Sequence, residues 1–145
     1  MFEKIVKGSV AGVLGGFVFG LWMSGQGILP MIAKLVGGSS ASLGFGLHLV
    51  ISAAIGASFA VLFSAKVEGP ATGILWGTVY GFVWWFLGPL TLMPLGLGMG
   101  LQWTASAVAG TIPSLLWHVA FGGIAGIAYV ALSGEITRQY KSASA

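Results

Sequence analysis

The sequence predicts an all-α membrane protein: a four-transmembrane-helix bundle made of two tandem helical-hairpin repeats with pseudo-two-fold symmetry. Three observations carry this expectation. Of 145 residues, 57% are apolar and only 6% charged, with a mean hydropathy of +0.98, whereas a soluble domain carries about 25% charged residues. The sparse charges delimit four long uncharged runs. The landmarks of the first half also recur, in order, in the second. Such a composition excludes a water-soluble monomer and intrinsic disorder alike. The whole chain, 1–145, reads as a single membrane domain.

The four runs are Gly8–Leu29, Leu43–Ala65, Pro70 to about Leu95, and Ile112–Ser133. Each exceeds the ~20 residues that cross ~30 Å of hydrocarbon as a helix. Backbone groups in lipid must be hydrogen-bonded internally, and the alternating polarity of a barrel strand is absent. Lys4 and Lys7 resemble the n-region of a signal peptide. However, the stretch after them is long and glycine-rich, no A-x-A site follows, and the segment has a counterpart in the second half. It is read as a retained span.

That counterpart is specific. Gly8, Gly12, Gly16 and Gly20 recur at an offset of 61 as Gly69, Gly73, Gly77 and Gly81. Pro30 matches Pro94 at 64, and His48, Gly56 and Phe59 match His118, Gly126 and Tyr129 at 70. Repeat 1 therefore covers about 5–65 and repeat 2 about 66–133, with 134–145 a polar cytoplasmic tail. Two spans per repeat give both copies one orientation, related by an axis along the membrane normal.

Charge fixes the expected orientation. Lys4, Lys7, Lys66, Arg138 and Lys141 fall on one side and Lys34 on the other, so both termini are placed in the cytoplasm. These cations are scattered singly, and a nucleic-acid partner is excluded for want of a basic patch. Trp22, Trp84, Trp85, Trp103 and Trp117 lie toward the opposite face as an expected aromatic belt, with Trp76 nearer the cytoplasmic end. Without cysteine, thiol nucleophiles, disulfides and cysteine metal sites are excluded.

The glycines at every fourth position make a groove for close helix approach. Gly8, Gly12, Gly16, Gly20, Gly69, Gly73, Gly77, Gly81, Gly56 and Gly126 are the expected packing residues. The groove serves either the bundle's own helices or a second protein or flat cofactor. His48 and His118 lie on small-residue rows, at one depth near the outer face, and ionisable residues in spans are functional candidates. Two readings stand. Each bonds a carbonyl or hydroxyl across a helix interface, or the two act as axial ligands of one haem b. Another metal and a histidine-lined conduit are further alternatives, although two histidines are too few for tight zinc.

The outer connections, Gly25–Ser42 and Gly88–Thr111, hold a single charge between them. Segments so apolar are expected on the membrane surface, re-entrant, or covered by another protein. No carboxylate joins a serine and histidine in a catalytic arrangement, and no Asp or Glu lies within a span to line a charged pore. The Gly ladder, the Trp84-Trp85-Phe86-Leu87-Gly88-Pro89-Leu90 run, the Leu92-Met93-Pro94 turn and the two histidines together resemble the YagU-like group of small four-span bacterial inner-membrane proteins. The resemblance implies a bacterial membrane setting and carries over no catalytic residue. The leading expectation is a non-enzymatic bundle in contact with the lipid bilayer and with other membrane subunits or copies of itself. A bis-histidine haem-b electron-transfer protein and a small pore for a neutral solute are the alternatives.

Overall fold

A computed structural model describes residues 1–134. Four helical stretches in it are long and apolar enough to cross a membrane, Phe2–Gly25, Ala41–Phe63, Pro70–Gly96 and Ile112–Ser133, and no strand occurs among the described residues. The chain is an all-helical integral membrane protein. Except for Gly134, the tail expected at 134–145 lies outside the described residues, and with it Glu135, Arg138 and Lys141.

Helix α1 (Phe2–Gly25) starts at Phe2 rather than at Gly8, where the uncharged run begins, and Glu3 and Lys7 form an ion pair one turn apart in its first turns. It ends before Leu29: Gly27, at φ +67°, adopts a left-handed turn that swings the chain into α2 (Leu29–Ala33). A 3₁₀ turn at Lys34–Val36 follows. The N-cap of α3 (Ala41–Phe63) is Ser40, whose Oγ accepts the Leu43 N–H at 3.2 Å. At the start of α4 (Pro70–Leu87), Thr72 Oγ1 accepts the N–H groups of Glu68 at 2.9 Å and Gly69 at 3.0 Å. Gly69 is the N-cap of α4 and is itself buried.

Pro89 has no N–H for the helical ladder, and α4 widens there into a π-helical turn, Gly88–Leu92, before α5 (Met93–Gly96). Helix α6 (Ala105–Gly110) precedes α7 (Ile112–Ser133). The outer connections contribute to the core. Leu29, Ile32, Ala33 and Leu90 are almost fully buried, and α2 lies so close along α3 that a Cβ on Gly44 would strike the Leu29 carbonyl. Part of the apolar outer surface is covered by the chain itself.

The bundle is held by backbone proximity in three of its four seams. Antiparallel α1 and α3 meet where Gly8, Gly12, Gly16 and Gly20 face Ala60, Gly56, Ser52 and His48, and α4 and α7 meet where Gly73, Gly77 and Gly81 face Gly126, Gly122 and His118. Helices α1 and α7 also pack broadly; a Cβ on Gly15 would lie 2.7 Å from the Phe121 carbonyl oxygen. Helices α3 and α4 do not approach in this way. Position 76, which aligns with Gly15 at the offset of 61, is tryptophan. The Trp76 indole instead stacks against Phe63 of α3 with ring centroids 5.4 Å apart. One residue with no side chain and one with the largest thus decide which seam is tight.

Candidate functional site

The two histidines, α1 and the aromatic residues around them form the polar centre of the bundle. His48, 8% exposed, donates from Nε2 to the Gly16 carbonyl oxygen of α1 at 2.9 Å. A carbonyl only accepts, so Nε2 carries the proton and Nδ1 is left as a lone pair. His118 holds the opposite tautomer. Its Nδ1 donates to the Ser114 carbonyl one turn back at 2.8 Å and lies 3.1 Å from the Ser114 hydroxyl. Its Nε2 faces the glycine at position 88, 3.7 Å from where a Cβ of Gly88 would stand.

Phe19 lies between them. Its ring centroid is 5.5 Å from that of His48 and 4.7 Å from that of His118, edge-on to both. Phe19 is 4% exposed. On its outer side Trp22 stacks on Trp117 with centroids 5.4 Å apart. Below it, Tyr80 packs between Phe59 and Phe63 and shares a 2.7 Å hydrogen bond with the Ser58 hydroxyl. The histidines come to one region of the bundle, with an aromatic side chain rather than open space between them.

This arrangement does not fit a bis-histidine haem. A porphyrin ligated from both sides would take the volume of the Phe19 ring and would need the lone pair on a nitrogen facing the iron, whereas His48 Nε2 is the proton donor to Gly16. Among the described residues no three metal-binding side chains come together. Glu3 and Glu68 stand at the ends of α1 and α4 that lie away from the histidines. Glu135 lies outside the described residues.

Of the tryptophans expected in a belt, Trp103 is the exposed one, with its indole N–H on Thr91 Oγ1 at 3.2 Å. Trp85 is 6% exposed and donates to the Thr111 carbonyl at 3.1 Å, tying α4 to the start of α7. Trp22, Trp84 and Trp117 pack against the hydrophobic core. The Trp84 Nε1–H is buried and has no hydrogen-bond partner, which costs about 1–3 kcal/mol. Trp76, at the other end, accepts the Lys66 ammonium over its face at 4.5 Å.

Gly8, Gly12, Gly16, Gly20 and Gly56 occupy the α1–α3 seam and Gly73, Gly77, Gly81 and Gly126 the α4–α7 seam. The sequence reading missed Gly15 as a packing residue and Phe19 as the ring between the histidines. The Gly15-Gly16 doublet and its Trp76 counterpart signalled the first. Nothing in the pattern singled out Phe19 among the apolar residues of its helix. No protein family, curated protein or solved structure matches the chain, and its function is argued from this geometry alone.

Proposed function

We propose that the protein is a non-enzymatic integral membrane bundle that works by association, as an accessory subunit of a larger membrane complex or as a homo-oligomer. One observation supports this above others. Between α4 and α7 lies a shallow apolar depression of about 410 Å³, where Thr78, Ala120 and Gly123 are half-buried and Ile74, Leu116 and Ile127 are exposed. Small half-buried residues beside large exposed ones suit an apolar membrane helix, whose backbone can then come close. The occupant is a transmembrane helix of a second subunit. The packed Phe19 ring weighs against the haem and pore alternatives.

The same reading puts both termini in the cytoplasm, because Lys4, Lys7 and Lys66 lie at one end of the bundle and Lys34 at the other. It takes the two glycine seams as copies of one hairpin, related by a pseudo-two-fold axis and diverged at Gly15 and Trp76. Likeness to the YagU-like group belongs with it as part of the proposal.

The chain lacks cysteine, so Thr78→Cys provides a single thiol in the depression, to which a maleimide-benzophenone can be attached. Irradiation in native membranes, which inserts the ketone into any neighbouring C–H bond, should give a discrete dimer or a single larger adduct, lost when Gly123→Ile fills the depression. A labelled chain that cross-links only to lipid, in membranes where it is folded and abundant, overturns the proposal.

A further inference from the structure

The ends of α1, α3 and α7 that share a face with the N-terminus enclose a cleft of about 320 Å³. Its character differs from everything else on the surface. Lys4 and Lys7 line it from α1, Ser64 from the end of α3, and Tyr129 and Ser133 from the last turns of α7. Val67 closes it with a buried apolar wall. In a chain with so few charges, two of the lysines open into one pocket.

The polar groups there are incompletely satisfied. Lys7 is paired with Glu3, whereas among the described residues the Lys4 ammonium meets only a neutral oxygen, the Ser64 hydroxyl, at 3.2 Å. Glu3 is thus already neutralised, and the cleft holds one cation in excess. The Ser133 hydroxyl is buried with no hydrogen-bond partner among the described residues. Tyr129, 4% exposed, also lines the cleft. A buried hydroxyl left without a partner is costly, so a ligand that supplies one is favoured. One uncompensated ammonium and three hydroxyls converging on a pocket are the donor set for a tetrahedral oxyanion.

We infer that this cleft binds a phosphate ester, with Lys4 as the charge partner and Ser64, Tyr129 and Ser133 as hydroxyl donors. Its place favours the headgroup of an anionic membrane lipid. It lies where helices that cross the hydrocarbon end, and beside it α1 presents Phe2, Val6 and Val10 as exposed apolar surface on which acyl chains can lie. A soluble phosphate ester shares the same chemistry.

Native mass spectrometry of the full chain, released from mild detergent, tests this with three probes: phosphatidylglycerol, phosphatidylcholine of the same acyl chains, and glycerol 3-phosphate. We expect one phosphatidylglycerol retained per chain and about tenfold less for Lys4→Gln, the loss of one charge-assisted contact. Ser133→Ala should weaken retention by a smaller factor. Lys34→Gln, at the far end of the bundle, should leave it unchanged. Helical circular dichroism checks that each variant is folded. Retention of phosphatidylglycerol that glycerol 3-phosphate does not displace identifies the lipid as the source. Displacement at equal concentration identifies a soluble ester and keeps the phosphate assignment. Equal retention of phosphatidylcholine, no loss in both Lys4→Gln and Ser133→Ala, or an equal loss in Lys34→Gln overturns the site. The outcome is independent of the cross-linking at Thr78, because the depression and the cleft share no residue.

Discussion

Replacing Gly12 with alanine adds one methyl group at one of the tightest approaches of α1 and α3. Its Cβ would be driven into the Ser52 carbonyl oxygen and would stand 2.8 Å from Gly56 Cα and 2.9 Å from Gly56 N. All three are backbone atoms, so no rotamer change relieves the clash. Against the ~3.5 Å at which carbon atoms reach their dispersion minimum, the 2.8 Å distance to Gly56 Cα obliges the helices to separate by at least about 0.7 Å, and the closer Ser52 oxygen by more. A gap of that size forfeits a quarter to a half of each contact along the seam. It also stretches the 2.9 Å bond from His48 to Gly16 to about 3.6 Å, beyond hydrogen-bonding range. The bond is worth about 0.6–2 kcal/mol in a membrane; with the contact loss we expect a destabilisation of about 1–3 kcal/mol, the usual cost of overpacking. Gly46→Ala is the control. Position 46 lies in the same helix as Gly56 with nothing within 4 Å of its added Cβ, and it should be neutral or slightly stabilising. Reversible unfolding in mixed micelles, followed by circular dichroism, compares the two. If Gly12→Ala is as stable as Gly46→Ala, the seam is not held by backbone proximity and the argument for the glycine rows fails.

Other substitutions probe the remaining seams. Gly15→Ala, 2.7 Å from the Phe121 carbonyl, should cost about 1–3 kcal/mol in the same unfolding assay. Tyr80→Phe removes the Ser58 hydrogen bond that links α3 to α4, for a loss of about 0.6–2 kcal/mol; no change would mean that aromatic packing alone closes that seam. His48→Phe, which keeps a ring in place but breaks the bond to Gly16, should lower stability by a similar ~0.6–2 kcal/mol. Ser114→Ala should be milder, because the Ser114 carbonyl still accepts from His118. Protein purified from haem-replete cells should be colourless before and after dithionite. A low-spin haem spectrum abolished by His118→Ala would show that Phe19 yields its place to a porphyrin.

The spans were legible because crossing a bilayer constrains the sum of hydropathy along a segment, which composition reports directly. The glycine rows were legible because a four-residue spacing keeps a line of positions on one helix face. What faced the bundle axis was not. In a soluble helix the apolar stripe marks the core, but in α1 the lipid-facing Leu14, Phe17 and Leu21 are as apolar as the buried Phe19. The ring between the histidines therefore left no trace in the pattern. The same ambiguity hid the folding of Leu29 and Ile32 onto α3, since apolar connections look alike whether lipid or protein covers them. The contrast between Gly15 and Trp76 was present in the sequence, but it acquires meaning only when each is seen against the helix it meets.

That contrast gives the molecule a preferred way to move. The two glycine-locked hairpins are stiff leaves, and the α1–α7 seam, with Gly15 against Phe121, binds them like the spine of a book. Along the opposite edge, rings and one hydroxyl pair separate α3 from α4, and rotamer changes suffice to part them. The short turn from Ser64 to Gly69 tethers that edge at one end. The free end of that edge, beside Tyr80 and Trp84, is therefore where the fewest backbone contacts would have to break for the hairpins to part.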